Sequence, residues 1–229
     1  MEYQYLTKTV TLPVSGLEAV IREADSFAEE LITESNKGLA AALPDYWAYC
    51  TAKLGDKAPV TRDDVLALRT PDYKCLGIEI YRVTYGDTLI LVNDDDPQES
   101  GYAVDLKELD FLAMTAGPDP TFKFTLPRTG HQIVYGYKTA AQDLEELELP
   151  GFQPTRMSFR AIRSVNGSTD IKLEAVKQWP GFDHKALRAD MRKNQCGYDT
   201  RVRFRNKQGK AQVVDLFADP SFLLPGLMV

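Results

Sequence analysis

Leu126-Pro127-Arg128-Thr129-Gly130 limits this chain more than any other stretch, because it lies between two runs that alternate with the period of a strand. Before it, Phe122, Phe124 and Leu126 alternate with Lys123 and Thr125; after it, Gln132 to Tyr137 alternates again. A proline that ends one ladder and a glycine free to turn predict a hairpin or tight strand corner. Thr139-Ala140-Ala141-Gln142 then has the spacing of a capping box, ahead of an acidic helix from Ala140 to Leu147.

The same order of signals occurs near the N-terminus. Leu12-Pro13-Val14-Ser15-Gly16 joins a strand within residues 3–12 to another over Leu17 to Arg22. Ser26-Phe27-Ala28-Glu29 supplies a cap for a helix from about Phe27 to Ile32. Two copies of one supersecondary unit predict a duplicated architecture. The expected fold class is α+β, with two related β-rich halves, each holding an LP-x-[ST]-G strand corner, a capped helix and a late β-hairpin. The halves are 1–117 and 118–229, with the boundary near Gly117 to Thr121. At 229 residues and 44% hydrophobic composition, the chain can bury one large core or two cores of roughly 100 to 120 residues.

Between these landmarks, Pro44 marks a helix start, and Trp47, Tyr49 and Cys50 are expected to pack on the first unit. Thr61-Arg62-Asp63-Asp64 caps a short helix that Pro71 stops. Tyr73 to Asn93 reads as β structure, because Leu76, Ile78 and Ile80 alternate with Glu79 and Tyr81 before a turn at Gly86 leads into Leu89 to Val92. Asp94, Asp95 and Asp96 lack the alternation of a calcium loop and read as solvated. Tyr102 to Leu106 is a strand. Later, a helix is expected from about Met157 to Ser164, and another from His184 to about Asn194 capped by Asp183. A hairpin joins Asp199 to Phe204 with Ala211 to Phe217.

The charge balance argues against nucleic acid as a partner: the net charge is −6 and the isoelectric point about 5.1. Arg156, Arg160, Arg163 and the alternating Arg201, Arg203 and Arg205 are local exceptions, the last three on the solvated face of a strand. Cys50, Cys75 and Cys196 are an odd count without paired spacing, which fits a reducing compartment. No charged-then-apolar leader opens the sequence, and no apolar run approaches the roughly 20 residues of a membrane span. The expectation is a soluble chain made in the cytoplasm.

Signs of catalysis are sparse. The sequence contains no G-x-S-x-G elbow, phosphate loop or dinucleotide fingerprint. His131 and His184 both read as surface residues, in a turn and in the first turn of a helix. No catalytic residue, cofactor or metal ligand is therefore assigned. The chain ends in an apolar run, Phe222, Leu223, Leu224, Leu227, Met228 and Val229, broken by Pro225-Gly226. It either tucks into the chain's own core or docks on a partner. The candidate partner contacts are Phe222, Leu223, Leu224, Leu227 and Met228 of this tail, with Arg128 and His131 of the second turn.

The repeated LP-x-[ST]-G corners with their capped helices, and the Val104-Asp105-Leu106 and Val214-Asp215-Leu216 closures with Ser221-Phe222 and Pro225-Gly226, carry a resemblance. The chain resembles the baseplate hub and hub-assembly proteins of contractile-tailed, T-even-type bacteriophages, most specifically over Pro120 to Glu146. The resemblance implies a non-enzymatic structural component of the tail baseplate or hub, located in the virion and assembled in the host cytoplasm. Its expected partners are other tail or baseplate proteins, with no nucleic acid, membrane or small-molecule substrate. The alternatives are a transient assembly factor absent from the mature particle and, less favoured, a small-molecule-binding protein or enzyme. Some members of the family carry paired cysteines at hairpin tips; the matching places here, Asn93 to Glu99 and Arg205 to Gly209, have none.

Overall fold

Gly16 and Gly130 close two turns of the same design. In the first, the Leu12 amide donates to the Leu17 carbonyl at 2.9 Å and the Gly16 amide to the Leu12 carbonyl at 3.1 Å. In the second, Leu126 donates to His131 and Gly130 to Leu126, both at 2.9 Å. Both glycines have positive φ, 68° and 72°, a conformation that side chains with a Cβ resist. These turns belong to a computed structural model that describes residues 4–33, 38–91, 102–112, 120–149, 151, 153–205, 211–218 and 222.

Around the first turn, β1 (Thr7–Thr11) pairs antiparallel with β2 (Glu18–Arg22). Next come α1 (Ser26–Thr33), α2 (Leu39–Tyr49) and β3 (Thr51–Leu54), which joins the far side of β2. The α1 cap is Asp25, one residue before the expected Ser26: its Oδ1 accepts the Ala28 amide at 3.0 Å. Pro44 lies inside α2 instead of opening it. Thr61 forms the expected box with Asp64 at the start of α3 (Arg62–Ala67).

The expected strand over Tyr73 to Asn93 is mostly helix. Residues Thr70–Tyr85 form α4, and among the described residues of that range Thr88–Leu91, β4, is strand, paired with β5 (Tyr102–Asp105). Pro71 stands in the first turn of α4, where a missing amide goes unnoticed, so it opens a helix as well as following one. The alternating apolar residues misled because α4 is buried on nearly all sides. Leu76 and Ile80 face one hydrophobic cluster, Ile78 and Tyr81 another. A helix covered all round has no polar face to reveal its period. Its buried Glu79 is satisfied by Lys8, by Arg82 at 2.9 Å and by Tyr198. Gly77 lets α4 lie against Trp47, since a Cβ there would stand 2.6 Å from a ring carbon.

Phe111–Leu112 is a short strand, β6. Around the second turn, β7 (Thr121–Thr125) pairs antiparallel with β8 (Gln132–Gly136). The helix α5 (Ala140–Glu148) carries the expected Thr139 and Gln142 capping box. The helix expected from Met157 to Ser164 divides into α6 (Pro154–Phe159) and β9 (Ile162–Val165). Strand β9 joins β8, the Ala161 carbonyl accepting the Gly136 amide at 2.9 Å. This pairing suits Ile162 and Val165, whose β-branched side chains favour strand over helix. After α7 (Leu173–Lys177) comes α8 (Gly181–Lys193), which starts before the expected Asp183 cap. Last are β10 (Gly197–Tyr198), paired with β6, and the expected late hairpin of β11 (Arg201–Arg205) with β12 (Ala211–Asp215).

The fold is α+β: among the described residues, small antiparallel sheets, two of three strands and three of two strands, combine with helices. Three hydrophobic clusters of the described residues hold it together. One lies beneath β1, β2 and β3, and another beneath β7, β8 and β9. The remaining cluster joins Ile78, Tyr81, Leu89 and Leu106 to Leu216 and Phe222, so it draws on both sides of the expected boundary. Tyr102 and Phe204, from the two late hairpins, meet with ring centroids 4.4 Å apart. Residues 113–119, around that boundary, lie outside the described residues, as do Asp94 to Asp96.

Candidate functional site

The approach to α4 and the link from β8 to α5 are stitched together by backbone hydrogen bonds, Thr70 to the Lys138 carbonyl and Ala140 to the Leu68 carbonyl, both at 2.9 Å. Beside this seam opens a cleft of about 430 Å3, walled by α4, β8, α8 and the β10–β11 segment. Its size falls in the range of small-ligand sites, roughly 300–1,000 Å3.

Hydrogen bonds hold the walls in place. Tyr135 Oη donates to Asp190 at 2.7 Å and accepts from Asn194 Nδ2 at 2.8 Å, while Tyr137 Oη donates to the Asn194 carbonyl at 2.6 Å. These contacts tie β8 to α8. On the opposite side, Lys74 Nζ lies 3.1 Å from Thr200 Oγ1 and 3.5 Å from Asp215, and Thr200 donates to the other Asp215 oxygen at 2.8 Å. Arg201 grips Asp199 with two nitrogens, each at 2.8 Å. Both carboxylates at this rim are thus already compensated. Arg188 and Arg192, one turn apart on α8, line the cleft with no side-chain hydrogen bond or ion pair among the described residues.

Several sequence exceptions become structural pairs. Arg156 and Arg160 both donate to the buried Glu146, at 2.5 and 3.2 Å, and Arg163 to the Tyr137 carbonyl at 2.6 Å. The cysteines are free and buried. Burial pushes the Cys50 and Cys75 thiols up to about 12, and raises that of Cys196 in the cleft wall. A thiol so placed stays protonated at neutral pH and is a poor nucleophile. Among the described residues, no group of three His, Cys, Asp or Glu side chains gathers as a metal site would require, and no helix is long and apolar enough to cross a membrane.

Of the expected partner contacts, Arg128, His131 and Phe222 are described, and none of them lines the cleft. Arg128 is exposed, its guanidinium 5.3 Å from the Phe182 ring centroid, and its amide donates to Asp183 at 2.9 Å. His131 is half-buried, with Nδ1 3.0 Å from Asn166 Nδ2. Phe222 is 4% exposed and stacks on Tyr81, so this part of the tail fills the chain's own core. Leu223, Leu224, Leu227 and Met228 lie outside the described residues. Sequence reading missed Arg188, Arg192 and Lys74. Its one usable signal was two arginines at i and i+4 without an acid at matching spacing.

His184 is not the surface residue it was expected to be. Because α8 begins at Gly181, the imidazole faces inward near Trp179, 7% exposed, and neither ring nitrogen has a partner at hydrogen-bonding geometry among the described residues. Burial, and the Arg188 charge with it, hold its pKa below the ordinary 6.5, against a smaller favourable pull from the Val176 backbone. The folded chain therefore resists a proton that the unfolded chain accepts. This contribution to stability is whole above about pH 6.5 and is lost as the pH falls through that value toward the folded one. His184→Phe is expected to flatten the fall in melting temperature between about pH 7 and about pH 5. An unchanged slope would show that the imidazole is not responsible.

Compared with protein-family models, curated proteins and solved structures, the chain matches none. Its α+β class therefore rests on its own elements.

Proposed function

We propose that the chain is a non-enzymatic component of a bacteriophage tail, part of the baseplate or hub, acting through protein–protein contacts in the virion. The observation that carries this reading is the pair of turns and their anchors. The Val14 and Ser15 amides donate to buried Asp72 at 2.6 and 3.0 Å; those of Arg128 and Thr129 donate to buried Asp183 at 2.9 and 3.1 Å. Each aspartate stands in the first turn of a long helix. The motif behind the family resemblance is thus clamped in the same manner at both places, which favours a duplicated unit with two related halves. Further support comes from the edge strands β1 and β7, whose outer edges offer backbone groups to a neighbouring chain.

The test is quantitative peptide mass spectrometry on purified mature particles and on tail intermediates from infected cells. A fixed copy number compatible with tail symmetry in mature particles is the expected result. Presence in intermediates alone would replace the structural role with that of an assembly factor. Absence from both would remove the phage reading.

A further inference from the structure

We infer that the cleft beside Arg188 and Arg192 receives an acidic, aliphatic segment of a partner protein. This rests on the reading of the chain as one that works through protein–protein contacts. It names the chemistry of one contact.

The argument begins with charge. Arg62, Arg82, Arg156, Arg160 and Arg201 all have carboxylate partners, while Arg188 and Arg192 have none among the described residues. Two like charges one helical turn apart repel, and no ion pair among the described residues joins either of them to an acid. The rim acids Asp199 and Asp215 are balanced by Arg201 and Lys74, which leaves the two α8 guanidiniums as the uncompensated charges of the cleft. The cleft is therefore a positive site on a chain of net charge −6. Guanidinium groups match carboxylates through paired N–H donors, so the arginines favour side chains of Glu or Asp.

Shape and polarity select the rest of the ligand. Met157 and Met191 line the same cleft, and their flexible thioethers adapt to varied aliphatic side chains. A cavity of about 430 Å3 takes a few side chains of an extended segment and excludes a folded domain. Nucleic acid fits less well, because the overall negative charge opposes the long-range attraction on which phosphate binding depends.

The probe is a short fluorescein-labelled peptide of alternating glutamate and leucine, titrated against the full chain and followed by anisotropy. Saturable, salt-sensitive binding is expected, weakened about tenfold or more for each guanidinium removed in Arg188→Ala/Arg192→Ala. Lys185→Ala/Lys193→Ala makes the same change in net charge at exposed positions of α8 and is expected to bind almost as the unsubstituted chain does. In the unsubstituted protein, the methyl NMR signals of Met157 and Met191 are expected to shift during the titration, a readout independent of how any variant folds.

Absence of saturable binding would overturn the inference. So would equal losses in the two double variants, unmoved methionine signals, or tighter binding of a single-stranded oligonucleotide of matched charge. The particle measurement fails separately. A chain that is a fixed particle component but ignores the peptide sinks this inference alone. One that binds the peptide in the cleft yet is absent from particles and intermediates removes only the phage-tail reading.

Discussion

Asp72→Ala is expected to destabilise the chain by about 3 to 5 kcal/mol, the loss of two charge-assisted hydrogen bonds together with the orphaning of a buried amide. The carboxylate accepts from Val14 at 2.6 Å and Ser15 at 3.0 Å, and Val14 is buried, so no water can replace the acceptor without opening the turn. In urea this appears as a lower midpoint with an unchanged slope. A loss below about 1 kcal/mol would mean that the turn holds without its anchor. Asp72→Asn is expected to cost less. Burial pushes the Asp72 carboxyl above its ordinary range despite the Val14 and Ser15 bonds, so a neutral side chain escapes a desolvation penalty while keeping one acceptor. Asp183 shows the opposite balance: burial raises its pKa, but the bonds from Arg128 and Thr129 outweigh that and hold it below 3.8. Its carboxylate stabilises the fold above the unfolded value and loses that effect as the pH falls through the folded one, so Asp183→Asn is expected to be the more damaging amide substitution.

Phe222→Ala is expected to cost about 3 to 5 kcal/mol, the range for emptying a buried aromatic site. The ring lies 5.1 Å from Tyr81 at an interplanar angle of 16°, and 5.1 Å from Phe217. It also links α4 to the C-terminal hairpin within one hydrophobic cluster. A chain ending before Ser221 loses the same ring, so weakened partner binding by that truncation would report damaged folding before it reported a lost contact. Thermal melting distinguishes the two effects. If the truncated chain and Phe222→Ala both melt with the unsubstituted protein, the ring makes no contribution to the core.

Local chemistry carried much of the fold into the sequence. The two turns, the boxes at Thr61 and Thr139, and the hairpin of β11 with β12 depend on residues close together in the chain, so their signals are readable without tertiary knowledge. The first cap was displaced only from Ser26 to Asp25. The largest departures occur where distant parts decide. Leu76, Ile78 and Ile80 alternate as a strand would, yet belong to a helix enclosed between two clusters. Ile162 to Val165 becomes strand because β8 offers it a partner edge. His184 faces inward because α8 starts earlier than its apparent cap.

The two turns, the capping boxes at Thr61 and Thr139, the acidic balance and the α+β class are legible in the sequence, because they follow from near neighbours or from composition. Long-range packing brings Asp72 and Asp183 back to those turns, sets Phe222 in the core, and turns Arg188 and Arg192 toward one cleft with Lys74. Separation along the chain accounts for the difference. A cap or a turn is a contact between residues a few positions apart, whereas a buried carboxylate or a shared cleft exists only after elements from remote segments have packed together.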